Sequence, residues 1–189
     1  MGLNLGHYPD PHATKDNFEY CYGYGCTKKI RLGFSDYEWQ QITKIFKVPS
    51  KNAKEEREKI GKTIALMEQY TGELANTKSD LAKAPIRRQS YQELDCIDET
   101  INTTKYLNFL ADANFLKFHT VGQPVYKGLV LNGVYPHNSA SVVENDSGDV
   151  YAIDSYIYAN GLAPDIRDIN HWRKYKSNQI DQAERLHRL

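Results

Sequence analysis

The sequence predicts an α+β fold, with helices first and strands after. Two observations carry this. Apolar residues recur at helical spacing between about residues 35 and 115, and the later segments are short, β-branched and aromatic, and separated by turn residues. A chain of 189 residues is long enough for one core and short for two. The expected organisation is an irregular arm over residues 1–30, rich in Gly, Pro, Tyr and Asn, followed by a single domain over residues 31–189.

The first helix is predicted in SDYEWQQITKIF. Ser35 stands three residues before Glu38, the spacing of a capping box, and Trp39, Ile42 and Phe46 share one helical face. A longer helix is predicted over residues 53–75. Glu55, Glu56 and Glu58 lie in its early turns, where the helix dipole favours acids, and Ile60, Ile64, Met67 and Leu74 form a core stripe. ANTKSDLAKAPIRRQS is polar, contains a proline and is expected to be a loop with Arg87 and Arg88 in solvent. From Asp95 onward, Ile97, Ile101, Leu107, Leu110 and Phe115, with Thr104 in the same stripe, predict a central helix of about twenty residues. VYKGLVLNGV, HNSASVVEN and DVYAIDSYIY then predict consecutive antiparallel strands. NGLAP is expected to end the sheet, and IRDINHWRKYKSNQIDQAERLHRL to form a polar helical tail anchored by Trp172.

Lys+Arg and Asp+Glu are equal at 24 each, so no net field recruits nucleic acid or an anionic membrane. No run approaches the roughly 18 apolar residues of a membrane helix, so membrane insertion is not expected, and the first twenty residues lack the apolar region of a signal peptide. The compartment stays open: periplasmic or secreted if a signal peptide has been removed, cytoplasmic otherwise. His7, Asp10 and His12 lie close together in the arm, where a solvated polar stretch is a simpler reading than a metal site. Cys21 and Cys26, in CYGYGC, are open to either a small disulfide loop or two reduced thiols in a Gly/Tyr turn. Zinc is poorly supported, because the spacing is not CxxC and no second pair exists.

Cys96 stands apart from the other two, in ELDCIDETIN at the start of the central helix. Unpaired N–H groups and the positive end of the dipole favour thiolate over thiol there. A nucleophilic cysteine also needs a base within reach and a third group to orient that base. His137 opens the strand HNSASVV, and Asp154 lies 17 residues later in YAIDSY. A hairpin turning near Ser147 places the two on adjacent strands, near the same end of the ladder.

A helix-start Cys followed by His and Asp on successive strands resembles the transglutaminase-like superfamily, which has a papain-like fold. The resemblance covers about residues 94–172 and rests on Cys96 in DCIDETINT, His137 in YPHNSASVV and Asp154 in YAIDSYIYANG. The 41-residue interval from Cys96 to His137 and the 17 residues to Asp154 are similar to those of the bacterial transglutaminase-like cysteine proteinases. The resemblance implies a cysteine-dependent hydrolase or acyl-transferase acting on amide bonds of a protein or peptide substrate, with Cys96, His137 and Asp154 as its catalytic residues. Proteolysis is the first choice, with transamidation or deamidation as variants, and no cofactor is required. In the calcium-dependent branch, acidic residues flank the nucleophile on both sides. Here Asp95 matches and Ile97 does not, so Ca²⁺ is disfavoured, and Asp98 and Glu99 are read as first-turn acids stabilised by the dipole and turned away from Cys96. Gln89 and Gln92 lie upstream, where papain-like enzymes place an oxyanion-binding Gln, but neither spacing matches cleanly. Trp172 and Asn160-Gly161 are read as packing and turn elements, and Tyr135, Asn138, Ser155 and Tyr156 border the triad. Arylamine N-acetyltransferases use the same three residue types with acetyl-CoA, but their chains are larger and nothing here marks a CoA site. The non-enzyme alternative is a binding or scaffold protein that keeps the fold.

Overall fold

The computed structural model describes residues 3–8, 10–82, 93–128 and 136–174. It is a mixed α+β structure of helices and antiparallel sheets. The N-terminal region departs from the expected irregular arm: β1 (Phe18–Tyr22) and β2 (Lys28–Leu32) pair as an antiparallel hairpin, Phe18 opposite Leu32 and Tyr22 opposite Lys28. Phe18 and Tyr20 alternate into the main core, so this hairpin belongs to the body of the protein. The strands are only five residues long and flank a Gly/Tyr turn, which hides their period in the sequence.

Helix α1 (Asp36–Lys44) begins with the expected capping box, Ser35 accepting from the Glu38 N–H and Glu38 from the Ser35 N–H. Helix α2 (Ala53–Ala75) is capped by Asn52 and ended by Asn76 in the left-handed conformation. Ile60, Ile64 and Met67 are fully buried, whereas Leu74 is exposed, contrary to the expected stripe. The last turn of α2 points Thr71 and Gly72 inward instead. A Cβ on Gly72 would come within 2.7 Å of the Asn160 side chain, so the small residue is needed for this close approach.

Helix α3 (Cys96–Asp112) runs through the centre, with Tyr106, Leu107 and Leu110 fully buried. It ends before Phe115, which packs against the core from the loop beyond. On one side α3 meets the hairpin, and on the other a five-stranded antiparallel sheet. β5 (His137–Glu144) is flanked on one edge by β3 (His119–Val121) and β4 (Val125–Lys127), and on the other by β6 (Val150–Asp154). Between the Val121–Val142 and Val125–Ser139 pairs, one strand advances four residues and β5 advances three. The extra residue is a bulge, and Pro124 sits within it, where a missing N–H is tolerated. Of the segment VYKGLVLNGV, residues 129–134 lie outside the described residues.

The strand DVYAIDSYIY ends at Asp154, where the chain enters a 3-10 turn over Ser155–Ile157. The sheet does not end at NGLAP. β7 (Asp165–Asp168) pairs with β6 as an edge strand, Asp154 opposite Asp165, and only Ile169–Lys174 of the expected tail forms helix α4. Asp165 and Arg167 give β7 a polar sequence that resembles the tail, while Ile166 alternates onto the main core. Residues 175–189 lie outside the described residues.

Candidate active site

Cys96 is the first residue of α3, His137 the first of β5 and Asp154 the last of β6. Antiparallel pairing of Ala140 with Ile153 sets the last two diagonally across the ladder. There His137 Nε2 and Asp154 Oδ2 are 2.7 Å apart, with Asp154 almost fully buried. The same Oδ2 accepts a hydrogen bond from Trp172 Nε1 at 2.7 Å, while Oδ1 is buried without a hydrogen-bond partner among the described residues. The His137 ring lies between Tyr156 and Trp172, at centroid distances of 5.3 and 5.7 Å. Burial opposes a charge on His137, but the charge and hydrogen bond of Asp154 outweigh it. The nearby Cys96 side chain adds to them, and the ring's pKa rises to about 9. Cys96 is partly accessible and is the free cysteine of the chain. The structure therefore brings Cys96, His137 and Asp154 into one group.

The start of α3 is built more tightly than a solvated helix end. Asp95 Oδ1 accepts from the Ile97 and Asp98 N–H groups, and Asp98 Oδ2 accepts from that of Asp95, a capping box made of two acids. The turn between β1 and β2 supplies three more donors: Tyr24 N–H to Asp98 Oδ2, Cys26 N–H to Asp98 Oδ1, and Gly25 N–H to Asp95 Oδ2. Six backbone N–H groups thus occupy all four carboxylate oxygens. Asp98 and Glu99 are buried, beyond the dipole role expected of them. Burial and the Asp95 charge push Asp98 up to about 7, against the N–H donors. A cation would have to displace those donors, so Asp95 and Asp98 beside Cys96 do not fit a calcium site. Among the described residues no group of three or more His, Cys, Asp or Glu has the geometry to hold a metal.

Further buried polar residues are linked to Ser155, which follows Asp154. Thr103 and Ser155 hydroxyls are 3.0 Å apart, and Glu68 interacts with Ser155 while accepting from the Gly161 N–H. Asp80 accepts from the Leu94 N–H and Glu93 from the Leu81 N–H, so the residues before and after segment 83–92 are tied together. Burial raises Glu68 to about 7 and Asp80 to about 8, the latter helped by Glu93, and pushes Glu99 well above the carboxylate range.

Two features of the site escape sequence reasoning. Trp172 is a hydrogen-bond donor to Asp154 as well as an anchor, and its one sequence signal was an isolated indole in a polar stretch. The hairpin turn at α3 was concealed within the expected arm. Asn138 accepts from the Leu3 N–H, and the Tyr156 ring lies tilted against that of His137. Asp10 is not solvated: it accepts from the Glu19 N–H and pairs with Lys105 and Arg31. Arg87, Arg88, Gln89, Gln92 and Tyr135 lie outside the described residues. No helix among the described residues is long and apolar enough to cross a membrane. No protein-family model matches the chain, and no curated protein or solved structure matches it either.

Proposed function

We propose that the protein is a cysteine-dependent hydrolase or acyl-transferase acting on amide bonds of a protein or peptide, with proteolysis as the first choice. The observation that carries the reading is the His137–Asp154 pair, made where two adjacent strands end and directed at a cysteine on a helix N-terminus. The same arrangement supports a transglutaminase-like, papain-like core as the fold.

In the first half-reaction the Cys96 thiolate attacks the amide carbonyl and a carbon–sulfur bond forms. His137, as imidazolium, gives its proton to the nitrogen as the carbon–nitrogen bond breaks. In the second half-reaction His137 takes a proton from the acceptor, water or an amine, which attacks the thioester and frees Cys96. Asp154 holds Nε2 and favours the charged ring, so that Nδ1 is the nitrogen left for the thiol. The Asp95 cap accepts from Ile97 and Asp98 but not from Cys96, which leaves the Cys96 N–H for the developing oxyanion.

The test is the pH dependence of iodoacetamide alkylation at Cys96, resolved by peptide mass spectrometry, in wild type and His137→Ala. A reactive thiolate well below the free-cysteine value of about 8.5, lost in the variant, is expected. Slow alkylation with ordinary pH dependence in both proteins would replace this reading with a binding module on an enzyme-like fold.

A further inference from the structure

The hairpin that grips the nucleophile helix is itself closed by a disulfide, Cys21–Cys26. Between those cysteines the backbone does something unusual. Gly23, Tyr24, Gly25 and Cys26 have φ of 80°, 66°, 67° and 57°, four consecutive left-handed residues, of which two carry side chains that disfavour this region. A run of this kind aims successive N–H groups to one side and makes a concave anion receptor. Here the anions are the protein's own Asp95 and Asp98, which bracket Cys96.

The turn keeps this shape because several bonds over-determine it. The disulfide closes it, and the Asn102 side chain pairs with both the N–H and the carbonyl of Cys21, at 2.9 and 2.8 Å. Both half-cystines are buried against Ile101, where Leu3, Leu5, Tyr8 and Ile97 also pack. The receptor and the nucleophile therefore share one helix turn.

We propose that the Cys21–Cys26 disulfide controls the reactivity of Cys96, acting through Asp95 and Asp98 as positioning residues. The inference rests on the proposed role of Cys96 as a nucleophile. In the oxidised hairpin, three amides offset the carboxylate charge beside Cys96 and hold Asp95 as the cap. A dithiol reductant breaks the S–S bond, Cys21 and Cys26 each gain a hydrogen, and the reductant becomes a disulfide. Without the cross-link, Tyr24 and Cys26 relax out of the left-handed region and the three amides leave the carboxylates. The charge of Asp95, joined by that of Asp98 as pH rises through about 7, then opposes a thiolate at Cys96. Cys96 is faced by His137 from β5 and Tyr156 from the 3-10 turn, with Asp95 and Asp98 at its own helix end, while Tyr24 from the hairpin and Asp80 from the loop after α2 lie near Tyr156. Of these, reduction changes the hairpin contribution directly.

The experiment compares alkylation of Cys96 across pH in three samples: oxidised protein, protein reduced by a trialkylphosphine and desalted, and Cys21→Ala/Cys26→Ala. The phosphine takes oxygen from water as the two thiols form, and near-ultraviolet circular dichroism reports the fold. At pH 6.5 both disulfide-free samples are expected to react roughly three- to ten-fold more slowly at Cys96, because a lower thiolate fraction is partly offset by higher intrinsic nucleophilicity. Reoxidation restores the rate, so the reduced wild type carries the test if the double variant does not fold. Amide exchange at residues 24–26 rises on reduction, and Asp98→Asn narrows the difference between oxidised and reduced rates. Equal rates in oxidised and reduced protein, with activation by His137 intact, overturn the control and leave the proposed function standing. Absence of His137-dependent activation in the oxidised protein overturns both.

Discussion

Among the described residues Asp154 is held by two donors on one oxygen and by none on the other, an arrangement that fixes its direction toward His137. Its charge is what lifts the imidazole against burial. In Asp154→Asn the hydrogen-bond acceptor remains and the charge goes, so His137 is expected to titrate from about 9 back toward the usual histidine value of about 6.5. Asp154→Ala removes both and is expected to lower it further. Nuclear magnetic resonance titration of the His137 ring reads this directly, and an unchanged midpoint in Asp154→Asn would show that Asp154 does not hold the charge. Cys96, His137 and Asp154 were legible in the sequence because each sits at the end of an element with a local signal, a cap or a hairpin turn. Trp172 was not legible as a partner of Asp154. Its reach depends on β7 pairing with β6, a contact between a polar edge strand and a buried one.

At the scale of elements, α2 is tied to the sheet by charge as well as by its apolar stripe. Glu56, fully buried, accepts from the Lys117 and Phe118 N–H groups and from His119 Nδ1, while Arg57 pairs with Glu144 at 2.6 Å and lies over the Tyr151 ring. Burial works against the Glu56 charge, but His119 and the two N–H groups hold its carboxyl below the usual range. Glu56→Gln leaves buried donors facing a neutral amide and is expected to cost about 2 to 4 kcal/mol, measured by denaturant unfolding. A loss within about 0.5 kcal/mol, the size of an ordinary surface change, would mean that apolar packing alone secures α2. Glu56 looked from the sequence like a first-turn acid on the dipole, since nothing local signals a partner some sixty residues away. The helices α1, α2 and α3 were readable because caps and 3.6-residue spacing are local. The hairpin, β3 and β7 were not: strands of three to five residues carry too few alternations to stand out, and their pairing is set by tertiary contact.

Across the whole molecule, the acids buried around the site set the pH at which the fold is most stable. Glu68 and Asp98 titrate near 7, Asp80 near 8, and Glu99 lies further above the carboxylate range, burial being the largest cause in each. The folded protein thus holds protons that the unfolded chain has lost above about pH 4, and folding stability falls as pH rises from there toward 8. His137 acts with the same sign: its contribution is full below about 6.5 and is lost as pH rises through about 9. Asp10 and Glu56, whose pKa values are lowered, contribute above the unfolded carboxylate range and lose their contribution as pH falls through their folded values. Lys105 and Lys127, held below the usual lysine range by burial, oppose the fall in alkaline solution alone. The melting temperature is therefore expected to peak near pH 5 and to drop by roughly 5 °C or more by pH 8.5, a change of a few kcal/mol for a chain of this size. Calorimetry of the oxidised protein across that range decides it. A melting temperature that is flat or rising between pH 5 and 8 would mean that the buried acids are ionised in the fold, compensated by the N–H groups that surround them.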